Sequence, residues 1–181
     1  MKKSMKSKIK TNKVLQAGMG YTIGNYLLKG INLITLPIFA RLMNKTDYGL
    51  FNIYMSYEGI FVILIGVTLH SSLKNARYEF KNDYRKYVSS IEIVPMIMLA
   101  VALLIVNLFS GSVTQVTGLN LLTLDLLMIH SYCSALLQFY NADLSIDYKY
   151  TSFLKIAFFN TIANVLISLI LMTTVLSSKR Y

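Results

Sequence analysis

Lys29 stands inside a long, mostly apolar run, about Val14–Met43. Its helical neighbours on one face are Gly18, Thr22, Asn25 and Asn32, at steps of 4, 3, 4 and 3. At about 100° per residue these five positions form one narrow stripe. A charge at the centre of a bilayer costs about 2.5–3.5 kcal/mol on insertion scales. The stripe therefore belongs against a water-filled cavity or another helix rather than lipid. An ammonium group flanked by amides can bind an anion in a groove, or pair with a carboxylate. Lys29, Asn25 and Asn32 are candidate substrate-cavity residues on this reading. Gly18 and Gly24 are read as small residues that let helices approach.

Three more ionisable groups fall inside apolar runs. Glu58 is the carboxylate best placed to meet Lys29, which lies 13 residues before Leu42, while Glu58 lies 10 after Tyr48. At about 1.5 Å per residue the two have similar depth in antiparallel neighbouring spans. Asp125 and His130 share a later run. Asp125 is near enough to the run's start to reach the interface. His130 is deeper, where an imidazole titrates, binds substrate or serves as a hydrogen-bonded structural group. Glu58, Asp125 and His130 join the cavity candidates. Asn160 and Asn164 form an i, i+4 pair of the kind that holds helices together.

No phosphate loop, GxSxG, HExxH or CxxC occurs, and no carboxylates are paired at a catalytic spacing. The single cysteine, Cys133, sits in an apolar run and supports neither a disulfide framework nor a metal site. The chemistry expected is binding and passage: no catalytic residues, no metal and no cofactor.

The elements that must hold these residues follow from composition. The chain is 55% hydrophobic and 14% charged, against about 25% charged in soluble domains. A spanning helix needs about 20 mostly apolar residues. Five segments qualify, at about 14–43, 48–69, 88–109, 119–140 and 153–176. The first is over-long, which tilt or partial interfacial placement accommodates. It is also too long for the apolar core of a signal peptide, so it reads as a retained span. The expected fold is all-α and polytopic. A basic tail (1–13) precedes the transmembrane region (14–176), and a short tail (177–181) follows.

The net charge of +10 would suit nucleic acid on a soluble protein, but here the cations flank apolar runs, which is the membrane pattern. Lys2, Lys3, Lys6, Lys8, Lys10 and Lys13 precede the first span. Lys74, Arg77, Lys81, Arg85 and Lys86 lie between the second and third. The positive-inside rule puts both groups, and so the N-terminus, in the cytoplasm. Arg41 and Lys45 fall on the outer side as interface anchors, and Lys149 gives weaker support for a cytoplasmic fourth connection. Arg41, Lys74, Arg77 and Arg85 are candidate headgroup contacts, since cations and tyrosines beside a membrane meet anionic lipid.

The stretch "YTIGNYLLKGINLITLPIFARLMNKTDYGLFNIYMSYEGIFVILIGVTLHSSLKNARYEF" resembles the start of bacterial polysaccharide-biosynthesis flippases. These belong to the multidrug/oligosaccharidyl-lipid/polysaccharide exporter superfamily and include the O-antigen type. The resemblance rests on a glycine-containing first span, Leu36-Pro37, Ala40-Arg41-Leu42, Asp47-Tyr48-Gly49-Leu50-Phe51, and Gly66 followed by a basic loop. It is good over about Gly18–Lys86 and general, by helix pattern, beyond. The family's basic patch before the fifth span is replaced here by "NADLSIDYKY", which leans acidic. The resemblance implies movement of undecaprenyl-pyrophosphate-linked repeat units across the bacterial cytoplasmic membrane. It also implies a cationic central cavity between two helical lobes, and partners such as a polysaccharide polymerase. Carried over, Lys29 takes a first-helix cavity position and Arg41 matches the span-end arginine. Five spans amount to part of one lobe, so the chain is expected to be the N-terminal portion of a longer transporter or a truncated product.

Three other functions compete. A cation-coupled multidrug exporter of the same superfamily would use Glu58 and Asp125. A non-transporting assembly subunit would bind another membrane protein stably. A membrane-embedded transferase would have only His70, Asp143 and Asp147 at a membrane face, with no motif.

Overall fold

A computed structural model of the chain describes the backbone of residues 2–178 and the side chains of residues 14–31 and 33–167. The side chain of Asn32, the lysines of the N-terminal tail and the end of the C-terminal tail lie outside the described residues. The chain is helical, with no strand among the described residues. Its helices are α1 (Lys2–Leu42), α2 (Lys45–Gly66), α3 (Leu73–Glu79), α4 (Tyr84–Ile91), α5 (Ile93–Leu108), α6 (Ser110–Thr117), α7 (Leu121–Ile146) and α8 (Tyr150–Ser178), with a 3₁₀ turn at Leu69–Ser72. Five helical stretches are long and apolar enough to cross a membrane, as the hydropathy pattern implies: Val14–Leu42, Lys45–Gly66, Tyr84–Leu108, Leu121–Ile146 and Tyr150–Ile167.

The chain divides into two units. The first holds α1 and α8. Gly20 and Gly24 give α8 its seat, because a Cβ on Gly20 would strike the Tyr150 ring and one on Gly24 the Leu154 side chain. The Tyr21 and Phe153 rings pack beside them, centroids 4.9 Å apart. These contacts advance together along both helices, so α1 and α8 run parallel, as a first and a fifth span must. Of the two glycines expected at an interface, Gly24 is packed and Gly18 has open space where a Cβ would go. Gly18 lies on the polar stripe, away from the α8 face. Pro37 sits within α1 and does not end it.

The second unit holds α2 to α7. Ile65, Val106, Leu119, Leu124, Leu127 and Met128 form its core, with Tyr54, Tyr57 and Phe61 packed against them. A Cβ on Gly66 would come within 3.0 Å of the Ala135 Cβ, so α2 and α7 meet closely there. The third span is broken rather than continuous. Pro95 in the first turn of α5 cannot donate to the carbonyl one turn back, and α4 stops at Ile91.

The segments read as loops are mostly ordered helix. The basic stretch after α2 leaves it through Val67 and Thr68, both at φ 48°. It then folds as the 3₁₀ turn, α3 and α4. Ser71 and Ser72 hold the turn by donating to the Thr68 and Leu69 carbonyls at 2.8 and 2.7 Å. The polar "SGSVTQVTG" forms α6, which ends at Gly118 with φ 69°. Asn120 caps α7 by accepting from the Thr123 amide at 2.8 Å. Helix α2 begins at Lys45 and carries Asp47 in its first turn, at the positive end of the helix dipole.

Candidate functional site

The α1 stripe is the first component. Gly20, Tyr21 and Gly24 face α8. Gly18, Thr22, Asn25, Lys29 and Asn32 are centred about 100° further round the same helix. The stripe therefore does not pack on α8. Thr22, Asn25 and Lys29 are exposed within their unit. The Thr22 hydroxyl donates to the Gly18 carbonyl at 2.8 Å, which satisfies its proton and leaves the oxygen facing outward as an acceptor. A cation, an amide and a hydroxyl thus share an unpacked face of a long apolar helix. Arg41, also exposed, ends the same helix.

The second component belongs to α2 and α7. The contacts Tyr54–His130 and Gly66–Ala135 run in the same order along both chains, so these helices point the same way. The Tyr54 hydroxyl lies 3.1 Å from His130 Nδ1, and the two rings stack 5.9 Å apart at 17°. His130 is otherwise exposed. Glu58 follows Tyr54 by one helical turn and is half-buried. Lys29 belongs to the first unit and Glu58 to the second.

Asp125 sits elsewhere. It accepts from Asn107 Nδ2 at 3.0 Å, and the same amide reaches the Leu103 carbonyl at 2.9 Å. Asn107 ends α5 and Asp125 begins α7, so this pair ties the two helices at one end of the unit. His130 and Asp125 are five residues apart, about 140° apart around α7. They do not converge on one site.

The basic segment forms a cap at the other end. Leu73, Ala76 and Tyr84 are buried, and they fix α3 and α4. The Arg77 guanidinium lies 4.6 Å from the Tyr84 ring centre. The Tyr84 hydroxyl donates to Asp143 Oδ1 on α7 at 2.8 Å. Phe80 and Tyr87 stack at 5.0 Å, and the Tyr87 hydroxyl lies 3.1 Å from Ser72 Oγ. Arg77 is therefore engaged with a ring, whereas Lys74 and Arg85 point outward, exposed. The acidic-leaning "NADLSIDYKY" has a structural use: Asp143 anchors the cap, and Asp147 pairs with Lys149 at 2.9 Å.

Sequence reasoning missed three partners: Tyr54 for His130, Asn107 for Asp125, and Tyr84 for Asp143. Equal depth would have found the first, because Tyr54 and His130 are each the tenth residue of their helix. Among the described residues no three His, Cys, Asp or Glu side chains gather to hold a metal. What remains is a set of isolated polar and ionisable groups on otherwise apolar spans.

Neither the comparison with curated proteins nor that with solved structures gives a match. One family model, described as "Polysaccharide biosynthesis protein", matches residues 14–179, nearly the whole chain and every candidate span. With five candidate membrane-spanning helices and a match of that extent, the chain belongs to the polysaccharide biosynthesis protein family, as a multi-pass membrane protein.

Proposed function

We propose that this protein takes part in flipping undecaprenyl-diphosphate-linked sugar repeat units across the bacterial cytoplasmic membrane for surface polysaccharide assembly, with its N-terminus in the cytoplasm. The observation that carries this reading is the α1 stripe, turned away from α8 with Lys29, Asn25 and Thr22 exposed. A diphosphate and its sugars cannot enter hydrocarbon unaided. A polar stripe on an apolar helix offers the headgroup a hydrated track while the polyprenyl tail stays in lipid. In such a low-dielectric groove the Lys29 ammonium attracts phosphate more strongly than it would in water. Amides and the Thr22 oxygen suit the sugar hydroxyls. Membership of the polysaccharide biosynthesis family supports the substrate class.

Lys74 and Arg85 are proposed headgroup contacts on the cytoplasmic side, where anionic lipid and the diphosphate both present phosphate oxygens. A polymerase that consumes the flipped units is the proposed partner.

The test is complementation. The gene is expressed in a strain lacking its polysaccharide flippase, and surface polysaccharide is quantified by immunoblot against protein level. Restoration by the wild type, lost on Lys29→Gln, is the expected result. Normal protein level with no restoration counts against the reading. Glu58 and Asp125 favour cationic drugs as the alternative cargo, and resistance to such drugs without polysaccharide restoration would select that function.

A further inference from the structure

The seam between α1 and α8 has two sides, and polar residues of both helices gather on one of them. Buried Ala17, Gly24, Thr35 and Phe39 mark the face that α1 turns to α8. Gly18, Thr22, Asn25, Lys29 and Asn32 are centred about 100° round from it. On α8, Tyr150 and Leu154 mark the face turned to α1, since they sit against Gly20 and Gly24. Asn160 and Asn164 are centred about 80° round from that face, in the opposite rotational sense. The helices run parallel and turn these faces toward each other, so opposite rotations lead to the same side. The Tyr21 and Phe153 rings, 4.9 Å apart across the seam, lie on that side too.

Depth agrees as well as direction. Gly24 is level with Leu154. Lys29 is five residues beyond Gly24 and Asn160 six beyond Leu154, so their heights differ by only about 1.5 Å. Asn164 stands one turn further along the same side.

An i, i+4 asparagine pair is expected to hold helices together, but both side chains are exposed in their unit. Asn164 Nδ2 reaches Asn160 Oδ1 only at 3.5 Å, the limit of a hydrogen bond. The Asn160 amino group and the Asn164 carbonyl oxygen have no partner among the described residues. The same is true of the Tyr21 hydroxyl, which is buried at the seam.

Charge selects the kind of ligand. From Val14 onward, α1 and α8 contain Lys29, Arg41 and Lys155 and no aspartate or glutamate. Arg41 and Lys155 fall on the other side of the seam by the same rotation. The polar side therefore joins one ammonium group to a set of amides, with no carboxylate on either helix to neutralise it.

From this arrangement we infer that Asn160 and Asn164 are headgroup-contacting residues: Lys29 takes the phosphate of an anionic glycolipid, and the two α8 amides take hydroxyls of the sugar beside it. An amide offers donors and an acceptor, and so does a sugar hydroxyl. Amides left unmet in hydrocarbon are costly, whereas a polyhydroxylated headgroup satisfies them. The phosphate supplies the charge attraction, and the amides distinguish a sugar-bearing headgroup from a bare one. The inference rests on the flipping proposal above and adds α8 to a site that proposal built from α1 alone.

Two probes test it. Farnesyl diphosphate carries the anion alone, and its N-acetylglucosamine ester adds a sugar. Binding of each, radiolabelled, is measured on the full chain in nanodiscs. Asn160→Ala combined with Asn164→Ala should weaken the sugar-bearing probe about tenfold, the worth of about two hydrogen bonds, and leave the bare probe's affinity unchanged. Lys29→Gln should weaken both probes. A double variant that binds the sugar-bearing probe as the wild type does, or that weakens both probes alike, overturns the role of α8 and leaves the flipping proposal intact. Wild-type protein that binds neither probe overturns both.

Discussion

At the residue scale, charge and position separate two kinds of polar group. Lys29 is exposed on a face of α1 that packs on nothing in its unit, as the proposed cation site requires. Tyr84 is 4% exposed, covered by Arg77 and bonded to Asp143 at 2.8 Å, so it holds the cap together. Replacing Lys29 with Gln should reduce polysaccharide export at least tenfold at unchanged protein level, with Lys29→Arg retaining more because it keeps the charge. Surface polysaccharide normalised to membrane protein reads this out. If Glu58 neutralises Lys29, then Glu58→Gln alone should impair export and the double replacement should partly restore it. A double variant no better than the worse single one rules out the pair. Tyr84→Phe should leave export chemistry untouched and lower stability by about 1 kcal/mol, because a half-buried carboxylate oxygen loses its donor; thermal unfolding in detergent measures it. The Lys29 stripe was legible in the sequence because helical periodicity alone defines a face. The Tyr84–Asp143 bond was not, since it joins residues 59 apart and no local pattern announces such a contact.

At the element scale, the spans announce themselves and their connections do not. Twenty apolar residues have few structural options in lipid, so the five spans follow from hydropathy. The polar segments between them are helical too: α3 is held by burial of Leu73 and Ala76, at 0% and 3% exposure, whereas α6 carries only local back-bonds from Thr114 and Thr117. The break at Glu92 was readable in principle from Pro95, but the apolar run around it masks the signal. Glycine spacing was half-legible. Gly20 and Gly24 repeat at one helical turn and face α8, whereas Gly18 shares a face with Lys29 instead. Gly24→Leu should therefore disrupt the α1–α8 pair, at a cost of about 1–3 kcal/mol for overpacking. Gly18→Ala should leave stability unchanged or slightly raised, since it meets open space and alanine favours helix. Thermal unfolding of the two variants in the same detergent distinguishes them, and equal destabilisation would contradict the packing described.

At the scale of the whole molecule, parallelism within each unit constrains the topology. α1 and α8 point the same way, and so do α2 and α7, which is the order a serpentine of spans one, five, two and four demands. It follows that the cap, at α3 and the start of α4, and the short helix α6 lie at opposite ends of one candidate span, Tyr84–Leu108. The cap carries Lys74, Arg77, Lys81, Arg85 and Lys86, while α6 carries no charge. The positive-inside rule then predicts a cytoplasmic cap. The chain has one native cysteine, so Cys133→Ser provides a background free of thiols. In that background, Ser112→Cys on α6 should react with a membrane-impermeant maleimide in intact cells. Asn75→Cys on α3, also exposed, should react only after the membrane is opened. The reverse pattern would invert the protein and move Lys74 and Arg85 to the outer face. Labelling of both in intact cells would mean that α4 and α5 do not form a span at all. The expected pattern would put the basic cap on the cytoplasmic side, as the proposed function requires.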